Sequence, residues 1–86
     1  MILVELITKK ECPLCNEARD VLLSVRNKFP FELKETYLEP GTSTEERYRV
    51  DIPVININGL FFARHSISGE ALYAYLRQIS SGGKST

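Results

Sequence analysis

The sequence predicts a single α/β domain, a mixed four-stranded sheet with helices on its faces. Three observations support this. Short β-branched runs alternate with helical patterns, the first helical pattern is long enough to connect two parallel strands, and an Asn-Gly pair is typical of a hairpin turn. The expected order is β-α-β-β-β-α with a short polar helical turn before the third strand. We expect the domain to span residues 1–79 and a flexible tail to span 80–86.

The composition excludes several classes of protein. The 86 residues include 11 basic and 11 acidic side chains, and 43% are hydrophobic. That hydrophobic content is too high for a disordered chain, and the balanced charge does not favour a nucleic-acid surface. No apolar run approaches the roughly 20 residues that a membrane helix needs. We therefore expect a monomeric cytoplasmic protein that has no targeting segment and binds neither nucleic acid nor membrane.

The first half of the chain contains a buried strand and a capped helix. Residues 2–7 form a short run of apolar residues around Glu5 without strict alternation, as in a strand buried on both faces. The motif Cys12-Pro-Leu-Cys15 follows. Proline is favoured at the first helical position, so Pro13 predicts a helix capped by Cys12. This helix is expected to end near Lys28, because a proline follows two residues later. Its apolar stripe comprises Leu14, Ala18, Val21, Leu22 and Val25.

The second half contains the remaining strands and the last helix. The predicted elements are a strand over 31–38, a polar helical turn over 44–50, strands over 52–57 and 60–63, and a helix that begins after Ser68. Asn58-Gly59 joins the third and fourth strands, because both central positions of a type I′ turn need positive φ. The last helix has an apolar stripe at helical spacing, formed by Leu72, Tyr75, Leu76 and Ile79.

The two cysteines carry the only unusual chemistry of the sequence. Three residues apart at the start of a helix, they can form a disulfide without unfolding the chain. The helix N-terminus stabilises a thiolate through its unpaired N–H groups. Lys9 and Lys10 are expected to add to this effect, and Glu11 and Glu17 to oppose it. Cys12 is the expected nucleophile, and Cys15 is the expected resolving thiol.

Two other interpretations of the pair stay open at this point. A structural zinc site needs four nitrogen or sulfur ligands, and the chain offers two cysteines and one histidine, His65. Free cysteines are also often inert members of an apolar core. A redox dithiol explains the placement between a strand and a helix better than either. His65 itself is interpreted as a surface or capping residue that tunes the thiolate only if it packs against Cys12.

A strand, Cys-Pro-Leu-Cys at a helix start, and Ile-Pro before a later hairpin together resemble the glutaredoxin branch of the thioredoxin-like fold. The similarity spans residues 2–79 and is greatest to small glutaredoxin-like proteins with a C-x-L-C motif. It implies that Cys12 is the nucleophile, Cys15 the resolving thiol and Pro53 a cis-proline beside the active site. It also implies a substrate surface of Lys9, Pro13, Leu14, Ile52 and Pro53, with the backbone of Ile52 free to pair with an extended substrate.

The sequence departs from standard glutaredoxins at two places. Leu14 stands where those proteins usually have an aromatic residue, and residues 63–68 lack the Gly-Gly-x-Asp turn that binds glutathione in them. Arg47 or Arg49 is a candidate partner for a glutathione carboxylate. The resemblance implies no tightly bound cofactor, with either glutathione or a thioredoxin-reductase-like enzyme as the reductant.

These observations predict a thiol–disulfide oxidoreductase. Its expected substrates are disulfide-containing proteins or glutathione mixed disulfides, which it would reduce with electrons from a thiol reductant system. Two alternatives come from other functional classes. The fold could serve as a non-catalytic module that binds a partner, or the cysteine pair could bind a metal ion or an iron–sulfur cluster.

Overall fold

The structure, a computed structural model, describes the backbone of residues 1–85 and the side chains of residues 1–80. This range contains four strands and three helices. In chain order they are β1 (Leu3–Thr8), α1 (Pro13–Lys28), β2 (Glu32–Tyr37), α2 (Ser43–Tyr48), β3 (Val54–Ile57), β4 (Leu60–Arg64) and α3 (Gly69–Ser85). The predicted α/β class and element order are confirmed.

The four strands form one mixed sheet in the order β2-β1-β3-β4. β1 pairs with β2 in parallel, and α1 makes the crossover between them. β3 pairs antiparallel with both β1 and β4. The expectation of a parallel half followed by an antiparallel hairpin is therefore confirmed. The central position of β1 places the chain that follows it, which includes both cysteines, at the end of the sheet.

β1 is buried on both faces only in its second half. Leu6 and Ile7 are 0% and 4% exposed and point to opposite faces, whereas Leu3 is 36% exposed. Leu6 belongs to the larger apolar cluster, which we call the main core. Its buried members are Val4, Leu6, Ala18, Leu22, Val25, Phe31, Ile55, Ile57, Leu72 and Leu76. The main core thus joins one face of the sheet to α1 and α3.

α1 begins and ends as the sequence predicts. Cys12 is the N-cap, Pro13 is the first helical residue and Lys28 is the last. Phe29 adopts an extended conformation, which the following proline favours. The predicted apolar stripe needs one correction, since the Leu14 side chain is half exposed. Leu14 lies in the first turn, beyond the reach of the main core.

α2 is shorter than predicted and packs loosely. It spans Ser43–Tyr48 and is capped by Thr42, whose Oγ1 accepts a hydrogen bond from the Glu45 N–H at 3.1 Å. None of its residues is fully buried. Tyr48 alone is packed against an apolar cluster of the sheet. α2 therefore leaves much of that face of the sheet to solvent.

The β3–β4 hairpin turns at the predicted residues. Asn58 and Gly59 have φ values of 50° and 83°, as a type I′ turn requires. Asn58 Oδ1 also accepts a hydrogen bond from the Leu3 N–H at 2.9 Å, so the turn is attached to β1. A bulge next to Ile55 shifts the register, and Phe62 packs against Tyr75 with 5.0 Å between ring centroids. Phe61 stays largely exposed.

α3 begins after Ser68, whose Oγ accepts a hydrogen bond from the Ala71 N–H at 3.2 Å. Leu72 and Leu76 are fully buried in the main core, as their spacing predicts. The helix extends to Ser85, so its backbone enters the segment where the sequence predicts a tail. The flexibility of that tail stays a prediction, and its last residue lies outside the described part of the chain. Among the described helices, none is long and apolar enough to cross a bilayer.

Candidate active site

Cys12 forms the cap of α1 with its own side chain. Glu11 has a φ of 57°, and this left-handed conformation turns the chain from the end of β1 into the helix. Cys12 then adopts an extended conformation, and its Sγ accepts a hydrogen bond from the Cys15 N–H at 3.3 Å. This bond satisfies one of the N–H groups that the first helical turn leaves without a partner inside the helix. The predicted cap by Cys12 is thus confirmed.

Both cysteines lie in a second apolar cluster, which we call the sulfur cluster. Its buried members are Ile7, Cys12, Cys15, Leu38, Ile52 and Val54, and Tyr48 packs against it. Cys12 keeps 8% of its surface exposed, whereas Cys15 has none. Both are free thiols. Of the two cysteines, only Cys12 therefore reaches the surface.

The burial of Cys15 affects its ionisation. Burial raises the pKa of the Cys15 thiol above its ordinary value of 9.0, and the adjacent Cys12 sulfur adds to the increase. The Thr8 hydroxyl and the Lys9 backbone act in the opposite direction and are outweighed. Cys15 therefore holds its proton at neutral pH more strongly than an ordinary cysteine does. This differs from a pair in which both thiols are equally ready to react.

Pro53 is buried and lies in sequence between Ile52 and Val54, two members of the sulfur cluster. The Ile52–Pro53 peptide bond is cis. The Pro53 carbonyl accepts a hydrogen bond from the His65 N–H at 2.8 Å, which attaches this loop to the end of β4. The N–H of Ile52 donates to the Tyr48 carbonyl at 3.2 Å. The backbone of Ile52 is therefore less free to pair with a substrate than the sequence predicts.

His65 supports the same loop from its side chain. Its Nε2 lies 3.1 Å from the Val50 carbonyl and 4.0 Å from Asp51 Oδ1. Arg64 NH1 approaches the same carboxylate at 3.4 Å. The polar contacts of the imidazole in the described structure go to this loop, so its role here is structural. Its proposed effect on the Cys12 thiolate has no contact to support it.

Pro13 and Leu14 form an exposed rim beside Cys12. Both side chains are accessible to solvent, and Leu14 keeps half of its surface. Val50, on the loop before Pro53, is also 74% exposed. Apolar groups that stay in water next to a reactive sulfur offer a surface on which a substrate can displace water.

Lys9 lies on a different side of the cysteines. It lines a cleft of about 400 Å³, together with Lys10 and Arg49. The same cleft contains the carboxylates Glu39 and Glu45. Its inner wall includes Leu38 of the sulfur cluster. Of the two arginines singled out in the sequence, only Arg49 reaches the cleft. The Arg47 guanidinium lies 5.4 Å from the centre of the Tyr48 ring.

The family model of the glutaredoxin-like domain (DUF836) matches residues 3–77, which is nearly the whole chain. The chain belongs to this family. A metal centre has no such support, since the described residues hold no group of three or more His, Cys, Asp or Glu able to bind an ion.

Solved structures show the same fold at low sequence identity. A structural-genomics target protein from X. campestris is 20% identical with a TM-score of 0.72, over 87% of this chain and 96% of that one. A thioredoxin-2 described as a component of the malaria parasite protein secretion machinery is 18% identical with a TM-score of 0.63, over 91% and 82%. Trxlp from Edwardsiella tarda is 16% identical with a TM-score of 0.55, over 87% and 81%. These matches identify the thioredoxin-like fold of this glutaredoxin-like chain.

Several residues around the site of this glutaredoxin-like domain were not identified from the sequence. Thr8 is fully buried and influences the ionisation of Cys15. Leu38, just after β2, and Tyr48 of α2 complete the sulfur cluster. The position of Thr8 at the end of a buried strand, four residues before the first cysteine, could have indicated that it lies near the cysteines. The sequence contains no such signal for Leu38 and Tyr48, because their contacts depend on how the segments that contain them pack beside β1.

Proposed function

We propose that this glutaredoxin-like domain is a thiol–disulfide oxidoreductase that reduces disulfides through Cys12 and Cys15. The observation that carries the proposal is the inequality of the two sulfurs. Cys12 is partly accessible and accepts the Cys15 N–H at 3.3 Å, whereas Cys15 is fully buried. An attacking thiol needs access and a stabilised thiolate, and a resolving thiol needs neither until the intermediate has formed.

The reaction has two exchange steps. The Cys12 thiolate attacks one sulfur of the substrate disulfide, so that a mixed disulfide forms and the first substrate thiolate leaves. Cys15 then loses its proton and attacks the Cys12 sulfur, which forms the Cys12–Cys15 disulfide and releases the second substrate thiolate. Two electrons pass from the protein to the substrate. The raised pKa of Cys15 keeps it protonated while Cys12 is free.

The substrate surface consists of groups around Cys12. The exposed rim of Pro13 and Leu14 would contact the substrate beside the attacked sulfur. Pro53 is fully buried, so its contribution would be to shape its loop and not to contact the substrate. Ile52 is buried in the sulfur cluster, so its side chain would help to hold the sulfurs in place. Disulfide-containing proteins and glutathione mixed disulfides are the proposed substrates.

Glutathione is the proposed reductant, and no bound cofactor is needed. Two glutathione thiols in succession reduce the Cys12–Cys15 disulfide and leave as glutathione disulfide. The cleft with Lys9, Lys10 and Arg49 offers cations to the carboxylates of glutathione. Reduction by a reductase enzyme is the other route. We place the reaction in the cytoplasm, where such systems keep thiols reduced, and in a monomer.

A redox titration tests the proposal. The protein is equilibrated in glutathione and dithiothreitol buffers, and its thiols are counted by alkylation and mass spectrometry. We expect one two-electron transition at about −200 to −270 mV, the range of related dithiols. Cys12→Ser should abolish it without unfolding the protein. A wild-type protein without such a transition overturns the proposal, and zinc or iron bound in stoichiometric amount would favour a metal site instead.

A further inference from the structure

An apolar groove extends from the rim of the candidate active site along the line where α1 meets the start of α3. It begins as a cavity of about 100 Å³ between Leu14 and Ile67. A shallow, open depression of about 290 Å³ continues it between Val25 and Gly69. Val21 lines both the cavity and the depression, so the two form one surface, which we call the α1–α3 groove.

The groove is kept open by the smallness of Gly69. A Cβ atom placed on this glycine would lie 3.6 Å from Val21 Cγ1 and 3.6 Å from Val25 Cγ2. A single methyl group fits at ordinary contact distance, whereas a larger side chain would occupy the groove. The cavity beside Leu14 has room for one aliphatic side chain. The cavity and the depression are both lined by apolar side chains of α1, which are poorly solvated by water.

The wall of the groove is acidic. Glu17 lines the cavity and Asp20 lines the depression. Neither carboxylate has an ion pair within the described side chains. Arg19, the cation between them in sequence, points away from the groove toward β2, where its Nε lies 2.7 Å from Glu35 Oε1. Two carboxylates three residues apart on one side of a helix therefore face a ligand without a neutralising partner.

The cleft and the α1–α3 groove differ in charge. The cleft combines the cations Lys9, Lys10 and Arg49 with the carboxylates Glu39 and Glu45, whereas the groove is apolar with the carboxylates Glu17 and Asp20 at its edge. Glutathione, a short tripeptide with two carboxylates, suits the cations of the cleft. A longer chain with apolar and basic side chains suits the groove. Opposite charges at an interface give specificity more than raw affinity.

We propose that the α1–α3 groove binds the polypeptide segment that flanks the reacting cysteine of a protein substrate, and that it selects segments with an aliphatic side chain next to a lysine or arginine. The inference rests on the proposed dithiol function and specifies its substrate. The aliphatic side chain fills the cavity beside Leu14, and the cation lies against Glu17 and Asp20. The sulfur chemistry at Cys12 is unchanged. The groove alters only which disulfides reach it.

The test uses three reagents with the same leaving group, 2-nitro-5-thiobenzoate, joined by a disulfide to a cysteine. The first is a peptide with leucine and lysine on each side of its cysteine. The second has glutamate in place of lysine, and the third is glutathione. Attack of Cys12 on the peptide sulfur releases the coloured thiolate, so single-turnover rates compare binding directly. We expect the lysine peptide to react about tenfold faster than the glutamate peptide at low salt.

Two variants connect that preference to the groove. Glu17→Lys combined with Asp20→Lys should reverse the order of the two peptides, whereas the matched control, Glu32→Lys with Glu46→Lys, should retain it. Gly69→Leu should slow both peptides about tenfold and leave the glutathione reagent unchanged, because it fills the groove. Gly69→Ala should change neither. If Gly69→Leu fails to fold, the charge reversal still decides the question.

The outcomes separate the two proposals. Equal rates for the two peptides in the wild-type protein, or a charge reversal without effect, overturn the groove as a specificity surface and leave the dithiol function standing. If no reagent reacts faster with the wild-type protein than with Cys12→Ser, the dithiol function itself is wrong. If the control variant with Glu32→Lys and Glu46→Lys also loses the preference for the lysine peptide, the overall charge of the protein selects the peptide and the groove does not. That result likewise overturns the inference.

Discussion

The two apolar clusters of this domain differ in composition and in what holds them together. The main core joins the sheet to α1 and α3, nine of its ten buried members come from helices and strands, and all ten are apolar side chains. The sulfur cluster is smaller, contains both cysteines and draws Ile52 from a loop. Even the neighbouring residues Leu6 and Ile7 of β1 belong to different clusters.

This division separates stability from chemistry. The main core can stabilise the domain without contact with the reactive sulfur. The sulfur cluster controls the access and the ionisation of the cysteines, and its loop and its short helix α2 make it the less rigid of the two. If the two clusters act separately, substitutions in the main core should leave the reactivity of Cys12 unchanged, and substitutions in the sulfur cluster should cost less stability than those in the main core.

The largest effect is expected from Leu22→Ala in the main core. Leu22 is fully buried, and its truncation leaves a cavity. We expect a loss of about 3–5 kcal/mol in the free energy of unfolding, measured by urea denaturation. Leu23→Ala is the matched control, because Leu23 is 41% exposed and should cost less than about 0.5 kcal/mol. The rate at which the folded variant reacts at Cys12 should stay at the wild-type value, and a changed rate would mean that the clusters are coupled.

A smaller loss of stability is expected from Leu38→Ala in the sulfur cluster. Leu38 is 7% exposed and adjoins an open cleft, so its cavity is partly filled by water. We expect a loss of about 2 kcal/mol. Cys15 should also react faster with iodoacetamide, since one wall of its surroundings has been removed. Val50→Ala, at an exposed side chain near the same site, should not change the alkylation of Cys15.

Asn58→Ala should cost about 1 kcal/mol, at the end of the sheet far from the cysteines. The change removes the hydrogen bond from the Leu3 N–H and places alanine at a φ of 50°. Chemical denaturation gives the magnitude. The reduction potential of the cysteine pair serves as the control, and a shift in it would show that the turn affects the sulfur cluster.

The stability of the reduced protein should fall at alkaline pH. Because burial raises the pKa of Cys15 in the folded state, its thiol stabilises the fold fully below the ordinary value of 9.0. That contribution is lost as the pH rises through the raised value of the folded protein, since the unfolded chain ionises first. Urea denaturation of the reduced protein from pH 7 to 10 should therefore show a steeper alkaline decline than that of reduced Cys15→Ser. Equal declines would contradict the predicted direction.

Short-range features of the molecule could be predicted from the sequence because neighbouring residues determine them. Pro13 fixes the start of α1 and hence the cap formed by Cys12. Asn58 and Gly59 fix the hairpin through the positive φ that both adopt. Such features involve a few consecutive residues, and their physical cause lies within the segment itself.

The surroundings of the cysteines could not be predicted in the same way. Leu38 follows β2, and its place in the sulfur cluster depends on the pairing of β2 with β1 and on the position of α1. The N–H of Ile52 is occupied by Tyr48, a contact that depends on where α2 ends. The groove requires Gly69 to approach Val21 across two helices. Contacts of this kind arise from tertiary packing, which residue patterns along the chain do not encode.

The unequal roles of the two sulfurs are tested most directly by trapping the intermediate. Cys15→Ser and Cys12→Ser are each incubated with a peptide disulfide, quenched with acid and measured as intact proteins, followed by peptide mapping. We predict a stable mixed disulfide on Cys12 in the Cys15→Ser protein and no adduct on Cys15 in the Cys12→Ser protein, because Cys15 has no exposed surface. Adducts of equal yield on both variants, or an adduct on Cys15 alone, would contradict the assignment.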